Sequence, residues 1–122
     1  MPSILVIEDD AANADLLRIM LEAEGHRVLH STDGASGLET ARTEPLDLVI
    51  LDKKLEGPLD GAEVARLIRA AGFTGPIICQ TGCTSETDRE RCLSAGADAF
   101  LAKPFRRQDL LALVERLLGG GS

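Results

Sequence analysis

The chain has 122 residues, of which 13 are Lys or Arg and 20 are Asp or Glu, so its formal net charge is −7. With 44% hydrophobic and 27% charged residues, it has the composition of one globular domain with one core. The acidic balance argues against a surface that binds nucleic acid. The sequence has no run of about 18 apolar residues, so no membrane span is predicted, and no basic leader before an apolar stretch, so no signal peptide is predicted. The three Cys residues have no framework spacing, which indicates a reducing compartment, so we expect a soluble cytoplasmic protein.

Short apolar runs alternate with amphipathic stretches along the chain. The runs are typical of strands buried on both faces, and the amphipathic stretches are typical of helices. In chain order we predict a strand over residues 3–7, a helix between Asp10 and Gly25, a strand over 27–31, a short helix starting at Asp33, a strand over 46–51, a loop over 52–60, a helix closed by Gly72, a strand over 76–80, a helix over 86–95, a strand over 97–102 and a helix over 107–118.

Apolar residues at helical spacing predict which side of each helix faces the core. The stretch over 86–95 has little apolar stripe and is predicted as a weaker helix. The residues predicted to face inward are Leu16, Ile19, Met20 and Ala23 in the first helix, Leu38 and Ala41 in the second, Val64, Leu67, Ile68 and Ala71 in the third, and Leu110, Leu113, Val114 and Leu117 in the last.

Strict alternation of five strands with five helices predicts parallel pairing through crossover helices, with helices on both faces of the sheet. The expected fold is therefore a doubly wound α/β domain over residues 1–118. Residues 119–122 form a short Gly-rich tail, which either a linker or a chain end would explain.

Every predicted strand except the second is followed by a polar group, at the edge where doubly wound sheets bind ligands. Glu8 and Asp9 follow the first strand, Asp52 the third, Thr81 the fourth and Lys103 the fifth. Clustered carboxylates repel one another unless a cation is present, and an oxygen-only cluster suits Mg²⁺. Singly, these residues could be an acidic helix start, turn residues or a surface lysine; together they predict a magnesium site.

Five short motifs occur in order along the chain: Ile4–Asp10, Asp47–Asp52, Asp60-Gly61, Gln80–Gly82 and Ala95–Phe105. This ordered set resembles the receiver domain of two-component response regulators. Asn13 adds a looser similarity to the receivers of hybrid sensor kinases. The resemblance covers about residues 3–118 and implies the CheY-like, flavodoxin-like fold, a three-layer sandwich whose five-stranded parallel sheet has the order 2-1-3-4-5.

By this resemblance Asp52 is the phosphoacceptor, which takes a phosphoryl group from a histidine kinase or a histidine phosphotransfer protein. Glu8, Asp9, Asp52 and the main-chain carbonyl of Lys54 bind Mg²⁺, and Lys103 contacts a phosphoryl oxygen. The resemblance implies a signalling phosphoacceptor that assists its own phosphorylation and slow autodephosphorylation, and not an enzyme.

The resemblance also implies a conformational switch. Thr81 bonds the new phosphoryl oxygen, Phe100 is the aromatic switch residue, and Pro104 holds a cis bond that aims Lys103. The surface of helix four, strand five and helix five then changes and signals to a protein partner or an attached output domain. Homodimerisation on phosphorylation fits this scheme, whereas direct binding to nucleic acid or to a membrane is not expected.

The loop after Asp52 departs from the family pattern. Gly61 lies one position later than in most receivers, and Lys53 and Lys54 directly follow the acceptor. Lys54 and Cys83 occupy the positions that tune dephosphorylation in this family. The spacing of Cys79, Cys83 and Cys92 matches no zinc pattern, so Cys79 and Cys92 are predicted as small core or helix residues.

Two alternative functions arise from the same residues. A degenerate receiver that acts as a phosphorylation-independent protein-interaction module stays open because of the two lysines after Asp52. A phosphatase-type hydrolase with an Asp nucleophile needs a second acid two residues later, where Lys54 stands, so that reading is rejected.

The position of Lys54 yields a prediction. A cation there shields the phosphoryl group or competes with Mg²⁺, so we expect slow intrinsic dephosphorylation and a weakened magnesium requirement. Lys54→Asn should shorten the phosphoryl lifetime and strengthen magnesium binding. Decay of the phosphorylated species and a magnesium titration measure both effects, and unchanged values for both would contradict the idea.

Overall fold

The structure is a computed structural model that describes residues 2–52, 60–81, 86–103 and 105–119, with the backbone alone at residues 81 and 88. Strands and helices alternate along these ranges, as the sequence predicts. The elements are β1 (Ser3–Ile7), α1 (Ala11–Ala23), β2 (Arg27–Ser31), α2 (Gly34–Thr43), β3 (Leu48–Asp52), α3 (Gly61–Ala70), β4 (Ile77–Thr81), α4 (Glu86–Ser94), β5 (Ala99–Ala102) and α5 (Arg107–Leu117). No helix in these ranges is long and apolar enough to cross a membrane.

The five strands form one parallel sheet in the order β2-β1-β3-β4-β5, which confirms the predicted fold. All residues of β1 and β3 are buried, because helices cover both faces of the sheet. Alternate residues of each strand therefore enter two separate cores. Leu5 and Ile7 of β1 pack on the side of α3 and α4, whereas Ile4 and Val6 pack on the side of α1 and α5.

The predicted inward face of α1 is wrong. Leu16 and Ile19 are 51% and 62% exposed, and Ala23 is exposed as well. The helix is apolar on more than one side, and the sheet and α5 cover only the side centred on the buried Leu17. The other buried residues of α1 are Ala14, Met20 and Leu21, of which only Met20 belongs to the predicted inward face.

The helix starts follow the predicted acidic caps. The Asp10 carboxylate accepts hydrogen bonds from the backbone N–H groups of Ala12 (2.9 Å) and Asn13 (3.4 Å), and Asp33 accepts one from Ser36 (2.8 Å). These bonds satisfy backbone donors that the first helical turn leaves unpaired. Asp10 caps the start of α1 three residues after the end of β1, so the acidic run between them stays at the edge of the sheet.

Three predicted strands are displaced by one or two residues. β3 and β4 end one residue later than predicted, at Asp52 and Thr81, and β5 begins at Ala99 instead of residue 97. The late start of β5 reflects Gly96, whose φ of 113° belongs to the left-handed region and turns the chain after α4. The guanidinium of Arg69 on α3 braces this turn by donating to the Gly96 carbonyl and to the Asp98 carboxylate at 2.6 Å.

Gly37 of α2 allows the closest approach of that helix to the sheet. A Cβ at this position would lie 2.5 Å from Cδ1 and 2.7 Å from Cγ1 of the fully buried Ile7. We expect Gly37→Ala to lower the free energy of unfolding by about 1–3 kcal/mol through overpacking. Ile7→Val in the same chain should recover part of the loss by removing the nearest methyl group, and Glu39→Ala on the exposed side of α2 is the control. A Gly37→Ala variant as stable as the control in chemical denaturation would contradict this contact.

Candidate metal centre at the carboxyl edge of the sheet

The site lies where β1, β3 and β5 end. Glu8 follows β1 directly, Asp52 is the last residue of β3, and Lys103 follows β5. Because these parallel strands run in the same direction, their carboxyl ends share one edge. The strand order puts β3 between β1 and β4, which places Asp52 near the centre of that edge.

Glu8, Asp9 and Asp52 form the carboxylate cluster that the sequence predicts. One oxygen from each lies within 4.8 Å of the others, and no other group of three or more His, Cys, Asp or Glu residues in the described ranges comes together in this way. Glu8 is 1% exposed and Asp52 is 6% exposed. Carboxylate oxygens are hard ligands that suit Mg²⁺, and Asp9 at the partly exposed rim leaves room for the waters that Mg²⁺ retains.

Lys103 is a cation that contacts this cluster. Its Nζ donates to Oδ2 of Asp52 at 2.7 Å and lies 3.7 Å from Oε1 of Glu8. Burial by itself lowers the pKa of Lys103, but the hydrogen bond and charge of Asp52, with the charges of Glu8 and Asp9, leave that pKa raised. The ammonium therefore stays charged and offsets part of the carboxylate repulsion.

Glu8 has the most perturbed environment in the cluster. Burial is the largest cause that raises its pKa from 4.5 to about 7, and the neighbouring Asp52 adds to the rise. The Asn13 side chain opposes this shift by donating to Oε1 at 2.9 Å, as does the charge of Lys103. Oε2 of Glu8 is buried and has no hydrogen-bond partner among the described residues. A divalent cation would satisfy this oxygen and favour the ionised carboxylate, so the residues present fit a bound Mg²⁺.

His30 contacts the site, and the sequence pattern does not predict this contact. Its Nε2 lies 2.8 Å from the main-chain carbonyl oxygen of Glu8, and the Glu8 amide donates to the carbonyl of Ser31. The signal for this contact is the neighbouring position of β2 and β1 in the sheet, which brings the end of β2 beside the acidic run. Asn13, predicted only as a feature of similarity, is likewise a direct partner of Glu8.

The structure describes the other predicted site residues only in part. Phe100 is partly buried and packs against the core on the side of α3 and α4. Thr81 ends β4 at the correct edge, but its side chain lies outside the described part of the structure. Lys54, Cys83 and Pro104 also lie outside the described residues.

Buried cysteines confirm one further prediction. Cys79 on β4 and Cys92 on α4 are both fully buried in the core, as small apolar residues commonly are.

A family model for the response regulator receiver domain matches residues 4–115. The chain belongs to this family. Receiver domains are signalling domains of two-component systems, and the matched range contains the sheet except for Ser3 of β1, together with the carboxylate cluster.

Several curated relatives of this receiver are transcriptional regulatory proteins by name. It is 40% identical over 122 residues to a probable transcriptional regulatory protein of Picosynechococcus, and 36% identical over 115 residues to the alkaline phosphatase synthesis transcriptional regulatory protein PhoP of Bacillus subtilis. Each match covers 94% of this chain and 48% of the relative, so the receiver spans about half the length of these proteins.

Solved structures of receivers match nearly the whole chain. The receiver domain of a sensor histidine kinase of Pseudomonas aeruginosa, with magnesium coordinated in its active site cleft, has a TM-score of 0.88 and 37% identity, covering 97% of this chain and 98% of that one. A CheY-like receiver domain protein of Methanospirillum hungatei has a TM-score of 0.92 and 30% identity, covering 98% and 95%.

The raised pKa of Glu8 makes metal-free stability depend on pH. The folded receiver keeps a proton on Glu8 that the unfolded chain releases above pH 4.5, so the free energy of unfolding should fall as pH rises from 4.5 to about 7. Bound Mg²⁺ should favour the ionised form of Glu8 instead of the protonated one. The affinity for Mg²⁺ should therefore weaken about tenfold per pH unit below pH 7, where a proton competes for Glu8.

Thermal unfolding over this pH range, with and without Mg²⁺, tests the assignment. Glu8→Gln is the matched control, because it retains the shape of the side chain and cannot titrate. The same pH dependence in Glu8→Gln and in the original receiver would show that another group is responsible.

Proposed function

We propose that this receiver accepts a phosphoryl group on Asp52 from a phosphohistidine of a histidine kinase or histidine phosphotransfer protein. The observation that carries the proposal is the 2.7 Å contact between Lys103 Nζ and Asp52 Oδ2 inside a cluster of three carboxylates. A buried carboxylate beside both a fixed ammonium and a metal-binding pair has the parts that phosphoryl transfer needs.

The reaction forms one bond and breaks one bond. A carboxylate oxygen of Asp52 attacks phosphorus, and the bond between phosphorus and the donor imidazole nitrogen breaks, with its electron pair remaining on that nitrogen. The products are an aspartyl phosphate on the receiver and a free histidine on the donor. Asp52 is 6% exposed, so attack requires the donor to approach along the open edge of the sheet.

Glu8, Asp9 and Asp52 would hold Mg²⁺, together with the main-chain carbonyl of Lys54. Bound there, the metal supplies positive charge to the oxygens of the transferring group. The magnesium in the cleft of the similar Pseudomonas receiver supports this assignment. Asn13 and His30 orient Glu8 through its side chain and its carbonyl, respectively.

Lys103 changes partner during the reaction in this proposal. Before transfer it balances Asp52 and Glu8, and afterwards its ammonium contacts a phosphoryl oxygen, because the phosphoryl group then carries the larger negative charge. Loss of Lys103 would therefore leave the carboxylates without their internal cation before transfer and the phosphoryl group without its contact afterwards.

The proposed output is a change in the surface formed by α4, β5 and α5, in which Thr81, Phe100 and Pro104 serve as switch residues. Phe100 is only partly buried, so an inward turn has exposed area to remove from water. Lys54 and Cys83 tune the phosphoryl lifetime. Phosphorylation shifts this equilibrium to the extent that the active state binds the phosphoryl group better.

The partners of the proposed signal are proteins. The names of the longer relatives support an output in transcription, carried by a second domain attached to the receiver domain at residues 1–118 through the tail at 119–122. A separate protein partner or homodimerisation would read the same surface. The proposal includes a cytoplasmic location.

Intact mass measurement tests the phosphoacceptor. With Mg²⁺ and a small acylphosphate donor, we expect the receiver to gain a single phosphoryl adduct, and Asp52→Asn to gain none. Removal of Mg²⁺ by a chelator should reduce the adduct, because the transferring charge then lacks the metal, but the weakened magnesium requirement expected from Lys54 should leave part of it.

A receiver that stays unmodified with both the acylphosphate and a cognate kinase would contradict the proposal. It would favour the phosphorylation-independent interaction module instead. An adduct of equal size on Asp52→Asn would assign the acceptor to another residue.

A further inference from the structure

Gln80 on β4 is a buried polar side chain that the proposed chemistry does not use. Its side chain is 0% exposed, and neither Nε2 nor Oε1 has a hydrogen-bond partner in the part of the chain that the structure describes. Burial of an amide without partners costs free energy, and an apolar side chain of similar size would avoid that cost. An unsatisfied buried amide is rare enough in folded proteins to need a physical reason.

The register of the sheet places Gln80 beside the acceptor. β3 and β4 pair so that Asp52 and Gln80 are direct partners, and Gln80 in turn pairs with Leu101 on β5. Side chains alternate along a strand, and partners in adjacent strands project from the same face. Ile50, two residues before Asp52, and Ile78, two before Gln80, both enter the core on the side of α1 and α5. Asp52 and Gln80 therefore leave the sheet on this same side.

Three polar groups thus share one face at the end of the sheet. Glu8 lies two residues after Val6, which also enters the core on the side of α1 and α5, so Glu8 projects toward the same face. Glu8, Asp52 and Gln80 are thus placed at the ends of the neighbouring strands β1, β3 and β4. Lys103 reaches this face from β5 and contacts both acids. Both polar side-chain atoms of Gln80 lack a hydrogen-bond partner among the described residues. Gln80 is also the direct neighbour of Asp52 on the adjacent strand β4.

We propose that Gln80 is a positioning residue for the phosphorylated state of Asp52. This inference rests on the proposed function. When Lys103 moves to a phosphoryl oxygen, the Asp52 oxygen that it contacted becomes the carbonyl oxygen of the aspartyl phosphate. The Nε2 of Gln80 then donates a hydrogen bond to this carbonyl oxygen and replaces the ammonium.

The energetic consequence has a definite sign. In the resting receiver the amide is unpaired, so Gln80 destabilises that state; in the phosphorylated receiver the amide gains a partner, so the same residue stabilises it. Gln80 therefore favours the phosphorylated state and lengthens its lifetime. A residue that only fills the core would affect both states equally.

The test compares Gln80→Met with Ile78→Met. Methionine has the length of glutamine but no donor, and Ile78 lies on the same strand and the same face and is also fully buried, two residues farther from the edge. Both variants and the original receiver are phosphorylated with an acylphosphate and Mg²⁺. The phosphorylated fraction, its decay after donor removal and the melting temperature are then measured.

We expect Gln80→Met to melt at the same or a higher temperature while its phosphoryl group decays about three- to tenfold faster, as the loss of one hydrogen bond predicts. Ile78→Met should keep the original decay rate. A Gln80→Met receiver with the original decay rate would overturn the proposal, and so would a lowered melting temperature without a kinetic change, which would reveal a packing or water-binding role.

A spectroscopic measurement serves even if Gln80→Met fails to fold. The side-chain ¹⁵N–¹H signals of Gln80 should shift on phosphorylation, and their exchange with solvent should slow, while unchanged signals would overturn the proposal. Failure of the proposed function is distinguishable: the original receiver would then gain no adduct. If it gains one and Gln80 responds in neither measurement, only the role of Gln80 is wrong.

Discussion

The repulsion among Glu8, Asp9 and Asp52 is the constraint on which the rest of this site depends. The three carboxylates bring ligand oxygens within 4.8 Å of one another at a largely buried edge, and a single ammonium from Lys103 cannot balance them all. Burial, with a further contribution from Asp52, raises the pKa of Glu8, and its Oε2 has no hydrogen-bond partner among the described residues. A bound divalent cation would offset the carboxylate repulsion, satisfy this oxygen and favour the ionised form of Glu8, so the edge is suited to a metal ion.

The sheet supplies the rigidity that keeps these charges together. β1 and β3 are adjacent and buried along their whole length, with helices packed on both faces, so neither acid can withdraw without disturbing two cores. The same parallel register that holds Glu8 and Asp52 also sets Gln80 beside Asp52. Packing in the middle of the sheet therefore decides the electrostatics at its edge.

Much of this arrangement could be predicted from the sequence. Unbroken apolar runs predicted the buried strands, the acids Asp10 and Asp33 predicted two helix starts, and polar residues after the runs predicted the cluster. The inward face of α1 was wrong because Leu16 and Ile19 are as apolar as the residues that are buried. Periodicity alone cannot choose between two apolar sides of a helix, since the choice depends on which side meets the sheet and α5.

By itself, the sequence determined the class of fold and the identity of the converging acids, because apolar periodicity and strand-end chemistry are local properties of the chain. Only the tertiary structure decided the contacts that tune them. The approach of His30 to the Glu8 carbonyl depends on pairing across the sheet, as does the position of Gln80 opposite Asp52. The burial that raises the pKa of Glu8 comes from the surrounding packing. These effects are set by residues far apart in the chain, and they exist only when the strands are in register.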